Sequence, residues 1–266
     1  MRPMLTGLPG AFLLTLLAGL STGLGGLVVA RGRSSPRLLA SGLGLSAGVM
    51  VYVSFMELLA GGAEQLHRHG GMWTALACFF GGIALIMLID RLVPDSMNPH
   101  EPVGLHHDQG SDGDRGRRLM RAGTMTALAL TIHNLPEGFA TLVTGLDDFR
   151  AGLPIAVAIA IHNIPEGIAV AVPIHAATGS RRKAMLYALG SGMAEPIGAG
   201  LLFLALAPFI SPALVGGCLC AVAGVMVFIS LDELLPTAEA VGEHHAAAYG
   251  LVAGMAVMAV SLQLLG

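Results

Sequence analysis

Eight apolar runs, at about residues 9–30, 37–61, 72–92, 120–146, 151–177, 184–208, 212–236 and 247–265, take up most of this 266-residue chain. A helix needs roughly 20 apolar residues to cross a bilayer. In hydrocarbon every backbone N–H and C=O must be satisfied within the protein, which leaves helices and closed barrels. The short alternating segments of an outer-membrane barrel are not in this sequence. The chain therefore reads as an all-α integral membrane protein with eight transmembrane helices, a single unit over 1–266 set in a lipid bilayer. Composition agrees, because only 12% of residues are charged, against about 25% in soluble domains. Arg2 precedes the first run, as in a signal peptide. That run is too long for an ordinary leader and no clear A-x-A site follows, so it is read as a spanning helix.

One connection is long, about residues 93–119. It is polar, rich in turn formers, and carries His100, His106, His107, Asp108, Asp112 and Asp114. It is expected to be a mobile cytoplasmic loop, either a weak metal-binding tract or a solvated linker. Basic residues set the orientation. With the N-terminus outside, 11 of the 14 Lys and Arg fall on the inner side and only Arg2, Arg68 and Arg150 on the outer. Both termini are thus expected outside, in a multi-pass protein of the cell (inner) membrane. The net charge of −3 comes without a basic cluster, which argues against a nucleic-acid partner. Cys78, Cys218 and Cys220 lie in apolar runs and read as small buried hydrophobes.

The chain repeats itself. AGVMVYVSFMELL at 47–59 matches AGVMVFISLDELL at 223–235 in nine of 13 positions, and HNLPEG at 133–138 matches HNIPEG at 162–167. The first pair lies in the second and seventh runs, the other in the fourth and fifth. Each pair is antiparallel across eight alternating spans, and one pair nests inside the other. That arrangement implies an inverted repeat about an axis in the membrane plane, a plan many secondary transporters share.

Ionisable side chains inside a bilayer cost several kcal/mol and need a partner or a task. Glu137, Glu166 and Glu195 lie well inside apolar runs, with His133, Asn134, His162 and Asn163. His133 and Glu137 are four apart, as are His162 and Glu166, so each pair shares a helix face. Imidazole nitrogen and carboxylate oxygen suit zinc and similar ions. Two facing helices would present two His and two Glu to one divalent ion, and the Asn oxygens with Glu195 would serve a second. Pro136 and Pro165 free the carbonyls of Ile132 and Ile161 from helical bonding. One such helix alone could be a proline kink with its polar groups paired internally. Two antiparallel copies and a third buried Glu outweigh that reading. Ser54, Glu57, Ser230, Asp232 and Glu233 read as a structural network at helix ends, with vestibule carboxylates as the alternative. His175 near an inner helix end, and His244 with His245, are weaker candidates.

At these motifs the sequence resembles the ZIP family of metal-ion transporters. HNLPEG, HNIPEGIAVAVPIHAATGS, SGMAEP and SLDELLPTA resemble its bacterial ZupT-like branch most, and the likeness covers essentially the whole chain. The resemblance implies a 3+2+3 inverted-repeat fold with a two-metal centre at the fourth and fifth helices. One site would take His133, Glu137, His162 and Glu166. The other would take Asn134, Asn163 and Glu195, with Glu137 and Glu166 shared. It further implies import of Zn2+ into the cytoplasm, with Fe2+, Co2+ and Mn2+ also accepted, no resident cofactor and no enzymatic activity. A homodimer is compatible with this reading. Two rivals stand beside it. An intramembrane metalloprotease would want H-E-x-x-H, which the His-Asn order does not supply. A metal-gated receptor or channel is opposed only by the repeat.

Overall fold

The computed structural model describes residues 2–32, 35–92, 112–147 and 149–265. Eight helical rods account for nearly all of them: α1 (Arg2–Ala30), α2 (Pro36–Gln65), α3 (Met72–Leu92), α4 (Asp112–Asp147), α5 (Phe149–Thr178), α6 (Arg181–Phe209), α7 (Pro212–Ala240) and α8 (His244–Leu265). Seven are long and apolar enough to span a membrane; the exception is α4, whose middle carries His133, Asn134 and Glu137. The all-helical membrane fold expected from the sequence is therefore present. The helices run further than the apolar runs. Residues 112–119, expected in the polar connection, form the first turns of α4. Asp112 and Asp114 stand at its start, where acidic residues suit the helix dipole, and the arginines that follow are good helix formers. Residues 93–111, with His100, His106, His107 and Asp108, lie outside the described residues.

Caps repeat along with the sequence. Ser35 accepts the Leu38 N–H at 3.1 Å with Pro36 at the first helical position, opening α2. Ser211 accepts the Leu214 N–H at 3.2 Å with Pro212 next to it, opening α7. Further along, both rods widen into a π-helical turn at Ser54–Leu59 and at Ser230–Leu234. The Ser54 hydroxyl donates to the Met50 carbonyl and the Ser230 hydroxyl to the Met226 carbonyl, both at 2.7 Å. A side-chain donor on the i−4 carbonyl competes with the helical ladder at that point.

Glycines let the rods touch backbone to backbone, as is common where helices meet in a membrane. A Cβ on Gly44 would strike the Ala247 carbonyl, and one on Gly48 the Leu251 carbonyl. The contact advances in one direction, so α2 and α8 are parallel. Their counterparts are α7 and α3, where Gly224 abuts the Phe79 carbonyl and Gly82 the Ala221 carbonyl. Likewise α1 lies along α5 through Gly25 and Gly167, and α4 along α6 through Gly138 and Gly198. α4 and α5 are antiparallel, since Gly145 meets Gly152 at one end and Gly123 meets Ile174 at the other. Odd-numbered helices thus run one way and even-numbered helices the other. Helix α5 is the most sheltered rod, while α3 and α8 expose most of their surface.

Candidate metal centre

The duplicated motifs meet at mid-length of α4 and α5. His133 Nε2 lies 3.7 Å from Glu166 Oε2, and His162 Nε2 lies 3.5 Å from Glu137 Oε2. Each histidine thus faces the glutamate of the other helix, as the i, i+4 spacing on two antiparallel rods requires. All four side chains are at most 1% exposed. The two asparagines point sideways and dock onto the flanking helices. Asn134 Nδ2 donates to the Ser191 carbonyl of α6 at 3.1 Å, and Asn163 Nδ2 donates to the Ala18 carbonyl of α1 at 3.0 Å. Asn163 Nδ2 also donates to Glu195 Oε1. Glu195 itself sits where α6 breaks at Met193, one residue before Pro196, and it is fully buried within electrostatic range of Glu137 and Glu166. The structure therefore gathers all seven sequence-predicted residues, His133, Asn134, Glu137, His162, Asn163, Glu166 and Glu195, around one point on α4, α5 and α6.

Their bonding is incomplete. Among the described residues, thirteen buried side-chain nitrogen or oxygen atoms make no hydrogen bond, and ten belong to this centre. They are both nitrogens of His133 and of His162, both oxygens of Glu137, one oxygen each of Glu166 and Glu195, and the amide oxygens of Asn134 and Asn163. A buried polar atom without a partner costs about 1–3 kcal/mol. These atoms need something to bind. As imidazole nitrogen, carboxylate oxygen and amide oxygen, they form a mixed N/O donor set suited to a divalent transition metal. No three His, Cys, Asp or Glu side chains among the described residues are already drawn into a closed cage. The donors instead stand as two cross-helix pairs.

The remaining candidates are less central. Glu233, buried in the π turn of α7, is within electrostatic range of His133, whereas Asp232 is exposed and Glu57 half-buried. His175 is near the end of α5, and His244 lies 3.3 Å from Glu239 in an exposed pair. Two residues that the motifs do not contain also reach the centre. Ser46 of α2 donates its hydroxyl to Glu166 Oε1 at 3.0 Å, and Thr22 of α1 is fully buried against the motif glycine Gly167. The sequence held a faint signal for Thr22: Gly19-x-x-Thr22-x-x-Gly25 has the spacing of Gly192-x-x-Glu195-x-x-Gly198.

Comparison with known proteins gives the same answer as the geometry. The family model described as ZIP zinc transporter matches residues 94–262. The zinc transporter ZupT of Corynebacterium glutamicum is 59% identical over 260 residues, covering 96% of this chain and 98% of the relative. The proteins of that name from Chlorobium phaeovibrioides and Streptococcus mutans are 55% and 49% identical, each covering 96% of this chain and 97% of the relative. The bilayer-spanning rods, the paired His-Asn-x-Pro-Glu-Gly helices and these full-length matches agree, and the chain belongs to the ZIP zinc transporter family.

Proposed function

We propose that the protein carries Zn2+ across the cell's inner membrane into the cytoplasm, through a two-ion centre held by α4, α5 and α6. The observation that carries this reading is the set of ten buried nitrogen and oxygen atoms that make no hydrogen bond, four of which face each other across the two helices at 3.5–3.7 Å. His133, Glu137, His162 and Glu166 hold the first ion. Two carboxylates and two neutral imidazoles offset its double charge, which removes most of the cost of placing it in a low-dielectric site. Glu195, Asn163 and Asn134 serve the second ion, with Glu137 and Glu166 shared. The ion exchanges its hydration water for these ligands on entry. Because the ligands must be deprotonated, protons compete with the metal. Fe2+, Co2+ and Mn2+ fit the same oxygen-rich set, with the two histidines favouring zinc over manganese. Both termini lie outside, which puts the arginine-rich start of α4 in the cytoplasm.

Zinc uptake into proteoliposomes containing the purified full chain, with Fe2+, Co2+ and Mn2+ as competitors, tests this reading. Saturable zinc uptake is expected, with each of these ions competing less strongly than unlabelled zinc. Uptake that rises linearly with concentration, or that no other divalent ion competes for, would overturn it.

A further inference from the structure

The pseudo-twofold relation reaches beyond the duplicated motifs to α1 and α6. Gly138 abuts the Glu195 carbonyl and Gly198 the Leu135 carbonyl, while Gly167 abuts the Thr22 carbonyl and Gly25 the Ile164 carbonyl. Asn134 is held by the Ser191 carbonyl and Asn163 by the Ala18 carbonyl. Ser191 precedes Glu195 by four residues, as Ala18 precedes Thr22. Gly19 and Gly192 touch each other across the axis. In every one of these relations Thr22 takes on α1 the place that Glu195 takes on α6. The operation that relates Glu195 to Asn163 therefore makes Thr22 and Asn134 counterparts, while in the structure Asn134 Nδ2 bonds the Ser191 carbonyl and the Thr22 hydroxyl lies against Gly192.

Thr22 has the marks of a group reserved for a ligand. It is fully buried, and its hydroxyl makes no hydrogen bond. Threonines in apolar helices commonly donate to the carbonyl three or four residues back, as Thr15, Thr124, Thr131 and Thr141 do here. For Thr22 the carbonyl four residues back is taken. The Ala18 carbonyl already accepts from the Ser21 hydroxyl at 2.6 Å and from Asn163 Nδ2 at 3.0 Å, and a carbonyl oxygen has two lone pairs. The amide oxygen of Asn134 is buried and unbonded as well.

We propose that Thr22 joins Asn134 as the neutral oxygen side of the second-ion site for the transported divalent cation, the pseudo-symmetric counterpart of its Asn163–Glu195 side. The proposal rests on the metal-centre reading above. A hydroxyl and an amide oxygen bring no charge, so this side binds weakly where the Glu195 side binds firmly. A transport path needs binding strong enough to admit an ion and weak enough to release it. The chain divides these tasks between the two halves of its repeat. Thr22 sets the weak side.

Zinc uptake and metal bound per chain, measured on full-length Thr22→Ser, Thr22→Val and Thr22→Glu, test the assignment. Thr22→Ser keeps the hydroxyl, and its KM should stay within about twofold of the parent. Thr22→Val keeps the shape without the oxygen; its KM should rise about fivefold or more, with the first ion still bound. Thr22→Glu copies the carboxylate subsite, so more metal should be bound per chain and turnover should slow. A valine variant that matches the parent while the serine variant is impaired assigns Thr22 to packing and overturns the proposal. Equal impairment of the two does the same. Gel filtration checks folding; if Thr22→Val is not recovered folded, Thr22→Ala replaces it with the same expectation. His133→Ala run in parallel separates the two levels. Unchanged uptake there removes the metal-centre reading and this subsite with it, whereas a reversed serine–valine order removes only the subsite.

Discussion

The Ser46 hydroxyl of α2 donates to Glu166 Oε1 of α5 at 3.0 Å, and the repeat places Val222 of α7 at the equivalent position. Only one of the two central glutamates is therefore tied to a neighbouring helix of the outer repeat, while Glu137 makes no hydrogen bond through either oxygen. A hydrogen bond to a charged group contributes about 1.5–3 kcal/mol. Ser46→Ala should lower the melting temperature of the metal-free protein. It should also enlarge the rise that zinc produces, because the released oxygen no longer divides its electron density between a hydroxyl and the ion. Thermal unfolding in detergent with and without zinc measures both. Identical melting temperatures in the metal-free proteins would show that this bond contributes nothing.

The close helix contacts make a contrast between glycines. A Cβ on Gly138 has nowhere to go but into the Glu195 carbonyl, whereas Gly190 on α6 has open space around it. Overpacking of this kind costs about 1–3 kcal/mol or more. Gly138→Ala should reduce recovery of folded protein and of transport, and Gly190→Ala should leave both unchanged. Yield after gel filtration, together with zinc uptake, checks the pair. Equal behaviour would contradict the backbone contact between α4 and α6.

Glu195→Gln keeps the shape and the Asn163 contact but removes a negative charge from beside Glu137 and Glu166. On the two-ion reading the variant should bind one zinc tightly and lose the second, with its affinity lowered tenfold or more, a change of about 1.4 kcal/mol. Titration calorimetry on the purified protein gives the stoichiometry directly. Two tight sites in the variant would remove Glu195 from the ligand set.

Selectivity should follow the imidazoles. His162→Asp puts a carboxylate oxygen in place of an imidazole nitrogen and leaves a single histidine, so zinc uptake should fall more than manganese uptake. The ratio of the two in competition is the quantity to read, since specificity is a difference of binding free energies. A uniform loss for every metal would make His162 a structural residue.

Much of this could be read from the chain alone, and the parts that could not have physical reasons. Apolar runs separated by short polar links announce membrane helices. The i, i+4 spacing of His133 with Glu137 and of His162 with Glu166 already puts the ligands on shared faces. The cross-pairing, with His133 on Glu166 and His162 on Glu137, follows once two such faces are antiparallel. Helix ends were less legible, because a helix continues past the apolar boundary through polar residues, as it does at 112–119. The π turns at Ser54 and Ser230 were not legible either. Each opens at a serine that bonds the carbonyl four residues back, yet Thr131, Thr141 and Thr144 make the same bond in α4 and leave it regular. Ser46 and Thr22 escaped because single hydroxyls in apolar runs are common, and their meaning comes from what lies across the helix contact.

The central claim is that the cross-paired His and Glu of α4 and α5 hold the ion that is transported. Zinc uptake by proteoliposomes carrying His133→Ala or Glu166→Ala, at protein content matched to the parent, tests it most directly. The account predicts that either variant reconstitutes into the membrane and transports essentially no zinc, because each substitution removes one partner of the His133–Glu166 pair of the shared site. Near-normal zinc flux in either variant would contradict it.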